Sequence, residues 1–143
     1  MLKKLIITIT ALVLVMTAGC APASTDTSVA ATQVCRTLFM LADSINNFKD
    51  VSKFKDLTAM QAYGSVVKQN FSNLIASASS LKTVKIDNLQ TAFNDLVSGV
   101  QAIPPGTSLA DGIDSLQAQF KAVSDALDQI NTDLDCKNLL PKP

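Results

Sequence analysis

The chain of 143 residues contains no histidine, no tryptophan and no glutamate, so each of its 12 acidic residues is an aspartate. Each absence closes a class of chemistry. Without His there is no imidazole to act as general base, to complete a Ser- or Cys-based triad, or to ligate a metal. Without Glu, the Glu and Glu-x-x-His carboxylate cages of ferritin-like bundles cannot be built. A reactive thiol would lack an activating base for the same reason. Aromatic residues are scarce, at 5%. An excess of one charge is also missing, since 12 basic residues balance 12 acidic ones. No basic stripe is present to contact phosphates, so no nucleic-acid partner is expected. The expectation is a protein that is not an enzyme and that carries no cofactor and no metal.

What is present begins with Lys3 and Lys4, followed by an apolar run from Leu5 to Ala18 and the small pair Ala18-Gly19 before Cys20. A positive start, an apolar stretch and a small-residue cleavage site form a secretory signal. The run is shorter than the roughly 20 residues that a membrane span needs. Thr17-Ala18-Gly19-Cys20 resembles the lipobox of bacterial lipoproteins, with Thr17 where Leu, Val or Ile is more usual. The resemblance implies a signal peptide over 1–19 and a diacylglycerol thioether on Cys20, with palmitate-type acyl chains. It places the mature protein on the extracytoplasmic face of the cell membrane, or on an outer membrane where the bacterium has one. Ala21 stands where an Asp would mark inner-membrane retention of the enterobacterial kind. The first expected partner is therefore the membrane, through the lipid on Cys20. Removal of 19 of the 143 residues leaves 124, one domain's worth. Lys3 and Lys4 leave with the signal, so the mature chain carries 10 basic and 12 acidic residues, a net charge of −2.

Residues 20–28 are the cysteine that the resemblance implies is lipidated and eight small or polar residues, Ala21–Ser28, whose lack of periodicity predicts a flexible tether. Eight such residues reach at most about 28 Å. From Ala31 the pattern changes. Ala31, Val34, Leu38, Leu41, Ile45 and Phe48 alternate spacings of three and four, which is one face of a helix. The rhythm resumes over Leu57, Met60, Gly64, Val67, Phe71, Leu74, Ala78 and Leu81. It returns over Ile86, Leu89, Phe93, Leu96, Val100 and Ile103, and again over Leu109, Ile113, Leu116, Phe120, Val123, Leu127, Ile130 and Leu134. Pro104-Pro105-Gly106 is the strongest stop, and Ser108 is the N-cap expected after it. Helices are predicted over 29–49, 55–81, 86–103 and 108–135. Unbroken 3/4 spacing is the seam of helices packed at a shallow angle. Short connections make successive helices antiparallel. The predicted fold is all-α: an up-down-up-down antiparallel four-helix bundle over 29–143, after a cleaved signal peptide.

Cys35 and Cys136 are the two cysteines besides Cys20. Export to an oxidising compartment makes a disulfide their leading reading. The bundle topology agrees, since it returns the end of helix four to the start of helix one. That stapled end, with the Lys82–Lys85 connection, is expected to face the membrane. The Lys49–Lys55 and Pro104–Thr107 connections are expected at the far tip. Beyond residue 20 the chain resembles, in architecture alone, the small exported two-cysteine helical bundles of actinobacteria and other bacteria. Such a resemblance transfers no functional residue.

Four features invite a functional role. Asp111/Asp114 and Asp125/Asp128 are i, i+3 carboxylate pairs, but they fall outside the apolar seam and are expected to be solvated. Phe39, off the main stripe of the first helix, either widens the core or belongs to a partner surface. Lys49, Lys53, Phe54 and Lys55 form the only basic cluster and the other part of that candidate surface. Gly64 stands at a core position, where a glycine costs about 1 kcal/mol of helix stability. Either helices approach closely there, with Phe71, Phe93 or Phe120 filling the space, or a slot opens. The leading functional expectation is an anchored structural or interaction module that meets an envelope protein or polymer. The alternative is a small-ligand-binding lipoprotein with an interhelical slot near Gly64 and Tyr63.

Overall fold

The structure, a computed structural model, describes residues 23–139. The expected signal peptide, Cys20 as the expected lipidation site and the last four residues lie outside the described residues.

The described chain is all-helical: α1 (Ala23–Lys49), α2 (Leu57–Ala78), α3 (Asp87–Ala102), α4 (Leu109–Asp114), α5 (Gln117–Asp133) and α6 (Cys136–Leu139), with a 3-10 turn over Val51–Lys53. Four of these helices are long, and each buries most of the stripe its spacing predicts. Val34, Leu38, Leu41, Ile45 and Phe48 of α1 are buried, as are Met60, Val67 and Leu74 of α2. Leu89, Phe93 and Leu96 of α3 join them, with Phe120, Val123, Leu127 and Ile130 of α5, in one contiguous core. Burying a side chain of this size contributes about 1.5–3 kcal/mol.

α1 starts at Ala23, so residues 23–28 are helical and not the flexible tether that their composition suggests. No Gly or Pro follows Pro22 until Gly64, so nothing local stops the helix. Thr32 Oγ1 donates to the Ser28 carbonyl at 2.9 Å. α2 begins where Asp56 caps it, accepting from the Ala59 N–H at 2.7 Å. It ends at Ala78, short of Leu81, which is still buried at the head of the next connection. α3 ends at Ala102 because Ile103, preceding Pro104, is extended.

The predicted fourth helix, 108–135, is two pieces, α4 and α5, and the short α6 lies beyond its end. Ser108 caps α4, accepting from the Asp111 N–H at 3.1 Å. The helix then breaks at Ser115-Leu116. Leu116 presses on α3 at Gly99, where an added Cβ would lie 2.7 Å from Leu116 Cδ2. The periodicity continues through the break because Leu116, 1% exposed, still reaches the core. Asp135, with φ of 52°, turns the chain out of α5 and into α6. That turn sets Cys136 against Cys35.

α1 packs along α2 and along α5, α3 packs along α5, and α6 closes on α1. The pairings run antiparallel. Thr37 meets Ser77 at 2.8 Å, while Phe48, further along α1, meets Tyr63, further back along α2, at 6.2 Å. Cys35 meets Cys136, while Phe48 meets Phe120 at 5.8 Å. α2 and α3 do not share such a long backbone contact. They touch through the stacked rings of Phe71 and Phe93, 4.0 Å between centroids.

Candidate functional site

The Phe71–Phe93 stack holds α2 and α3 together at one level. Toward the start of α2 and the end of α3, nothing continues it. Gly64 lies two turns from Phe71, and a Cβ added to Gly64 would meet no atom within 4 Å. The result is a cleft of about 260 Å³ between the two helices. Phe48, Val67, Phe93 and Leu96, all buried, make its floor. Val97 and Val100 form the α3 wall opposite Gly64. Gln61, Ser65 and Lys68 of α2 and Gln101 of α3 are exposed at its mouth. Apolar walls with a few polar groups at the opening are the usual make-up of a small-molecule site.

Close helix approach is therefore not the reason for Gly64, and none of Phe71, Phe93 or Phe120 fills its space. Phe93 forms the floor, Phe71 is spent on the stack, and Phe120 packs edge-on against Phe48. Tyr63 does not line the cleft. Its ring stacks on Phe48 and tilts against Phe54 at 5.5 Å, on the neighbouring face of α2.

No family model, no curated protein and no solved structure matches the chain.

Electrostatics single out Lys68. It is the only charged residue of α2. It makes no ion pair with a described residue, and no acidic side chain lines the cleft among the described residues. Asp95 of α3 faces the other way, into a shallow trough shared with α5. That trough and its continuation past Ala122 are wider than the cleft but lined almost wholly by exposed or half-buried small and polar residues. They have no apolar floor to exclude water.

The basic cluster separates. Lys49 turns inward, donating to Ser124 Oγ at 3.2 Å and lying 5.7 Å above the Phe120 ring. Phe54 is half-buried against Phe48 at 6.2 Å. Lys53 and Lys55 stay exposed, and Lys55 sits 3.8 Å from its neighbour Asp56. Of the five residues expected at a partner surface, Phe39, Lys53 and Lys55 are exposed, while Lys49 and Phe54 are half-buried. Phe39 is 45% exposed and Met40 49%, so Phe39 does not widen the core. Asp111, Asp114, Asp125 and Asp128 are all exposed. Asp111 is held by Ser108 at 2.6 Å and Asp125 by Lys121 at 2.6 Å.

Cys35 and Cys136 are fully buried at disulfide distance, with Cα atoms 5.4 Å apart. Asp50 caps the 3-10 turn, and hydrogen bonds from the Ser52 hydroxyl and then the Ser52 N–H hold its carboxyl below the ordinary value. No helix among the described residues is long and apolar enough to cross a membrane.

Lys68, Gln61, Val97 and Gln101 were not singled out by the sequence, and Val100 was expected only as part of the third apolar stripe. Gln61, Gly64, Ser65 and Lys68 do share one helical face, and the glycine on that face was the available signal.

Proposed function

We propose that the chain is an extracytoplasmic lipoprotein, anchored through a lipid on Cys20, whose helical domain binds a small apolar ligand. The four long helices α1, α2, α3 and α5 form, in this reading, an up-down-up-down antiparallel four-helix bundle stapled at one end. The antiparallel pairings and the shared core support that arrangement. The observation that carries the ligand reading is the unfilled space at Gly64. A chain that gains nothing in packing from a mid-helix glycine gives up about 1 kcal/mol to keep it. A ligand that fills the space supplies a reason.

The site also lies away from the staple. Along α1, Cys35 to Phe48 is about 20 Å of helix. An anchor near the cysteine end presents the cleft outward.

Toluene is a suitable neutral probe. Added to the lipid-free domain, it is expected to shift the amide resonances of Gly64, Val97 and Val100, and Gly64→Leu is expected to abolish those shifts while the protein stays folded. Unperturbed resonances in the wild-type protein would remove the ligand reading. Anchoring is tested separately by labelling cells with palmitate. The wild-type chain is expected to take up label and sediment with membranes, and Cys20→Ser to do neither. Unlabelled wild-type protein would withdraw the anchor.

The exposure of Phe39 and Met40 supports a second reading, an interaction module that meets an envelope protein or polymer through α1. Phe39→Ser is expected to leave stability unchanged and to reduce recovery of any crosslinked partner.

A further inference from the structure

We infer that the cleft selects a small anionic amphiphile, one aromatic ring or a short acyl chain bearing a single carboxylate, with Lys68 receiving the charged end. This rests on the ligand reading above. Volume sets the apolar part. A cavity of about 150 Å³ takes benzene, and this one measures about 260 Å³. It holds a single ring or a chain of about six carbons, and it is too small for a membrane lipid's acyl chains.

Charge sets the head. The buried floor of Phe48, Phe93 and Leu96 offers no hydrogen-bond partner, so a polar end has to remain at the mouth. Among the described residues, the mouth holds one cation, Lys68, and no anion. Lys68 has no ion-pair partner among the described residues, so an incoming carboxylate competes with none of their side chains for it. Gln61 and Gln101 add amide donors at the same opening. A neutral head gains only hydrogen bonds here, and a cationic head meets like charge. The potential at the mouth thus ranks heads of equal tail length as anionic, then neutral, then cationic.

Hexanoate, hexanol and hexylammonium share one tail and differ in the head, so they separate the two contributions. Titrated into the lipid-free wild-type domain and followed by the amide shifts of Gly64 and Val100, hexanoate is expected to bind about fivefold tighter than hexanol, as for a solvent-exposed charge pair. Hexylammonium is expected to bind weakest. Lys68→Gln, on an exposed side chain, is expected to reduce hexanoate to the affinity of hexanol without changing hexanol. Lys68→Arg is expected to restore the preference. Equal binding of the three heads, or a hexanoate preference that survives Lys68→Gln, overturns the assignment of an anionic head and leaves the cleft as a ligand site. No shift with any of the three removes the ligand reading itself.

Discussion

At the scale of the residue, two mid-helix glycines carry opposite meanings. Beside Gly64 there is open space, whereas at Gly99 an added Cβ would strike Leu116 Cδ2 at 2.7 Å. Gly64→Ala is therefore expected to stabilise the domain by about 1 kcal/mol through helix propensity and a stiffer unfolded chain. Gly99→Ala gains the same propensity but pushes on a side chain that is 1% exposed, and is expected to destabilise by a net of about 1 kcal/mol. Thermal denaturation of the two variants gives shifts of opposite sign. Two shifts of the same sign would show that Leu116 can move aside. Asp50 supplies a pH effect. Its folded carboxyl titrates below the ordinary value of 3.8, so the charged form is favoured by folding. The contribution is present above that value and is lost as the pH falls through the lower, folded one. Ser52→Ala is expected to move the Asp50 titration upward in a carboxyl NMR experiment. An unchanged titration would mean that the hydroxyl is not its chief partner.

At the scale of the element, the helix ends follow local chemistry closely where a cap or a proline is present. Asp56 and Ser108 each satisfy a first-turn N–H, and Ile103 is extended ahead of Pro104. Asp56→Ala is expected to cost about 1 kcal/mol, read as a lower urea midpoint at unchanged slope. A cost indistinguishable from zero would mean that water replaces the cap. Where no such signal exists, the ends escaped the sequence. Residues 23–28 are polar and aperiodic, yet helical, because a turn added to an existing helix needs no apolar stripe of its own. The break at Ser115-Leu116 was hidden for the opposite reason. A one-turn interruption leaves Leu116 in register with Ile113 and Phe120, so the apolar spacing stays intact.

At the scale of the molecule, the staple and the cleft stand apart. The cysteines are separated by 101 residues. In the chain-entropy view, a cross-link of that span contributes about 4–5 kcal/mol by restricting the unfolded chain, and often less in practice. The double variant Cys35→Ala/Cys136→Ala is expected to lower stability by several kcal/mol in urea titration while leaving toluene binding measurable at low denaturant. A loss below about 1 kcal/mol would show that the core alone closes that end. The cleft needs α2 and α3 held apart, which the Phe71–Phe93 stack does at one level and nothing fills at the next.

The all-helical class, the four stripes and the exposure of the aspartates were determined by the sequence alone, and the pairing of Cys35 with Cys136 was its leading reading. Each follows from period, polarity or the count of cysteines, which are properties of the chain in order. Tertiary structure decided the rest. Lys49 and Phe54, adjacent to Lys53 and Lys55 in the chain, turn to the core because Phe120, Ser124 and Phe48 receive them. Phe39 faces outward because the surfaces of α1 that meet α2 and α5 are already occupied by its buried stripe. Gly64 marked the place of the cleft, but not which of its two meanings held. That depended on the distance between α2 and α3, which the large rings of Phe71 and Phe93 set from two turns away. An empty volume is a property of what several helices fail to fill together, so no single stretch of sequence contains it.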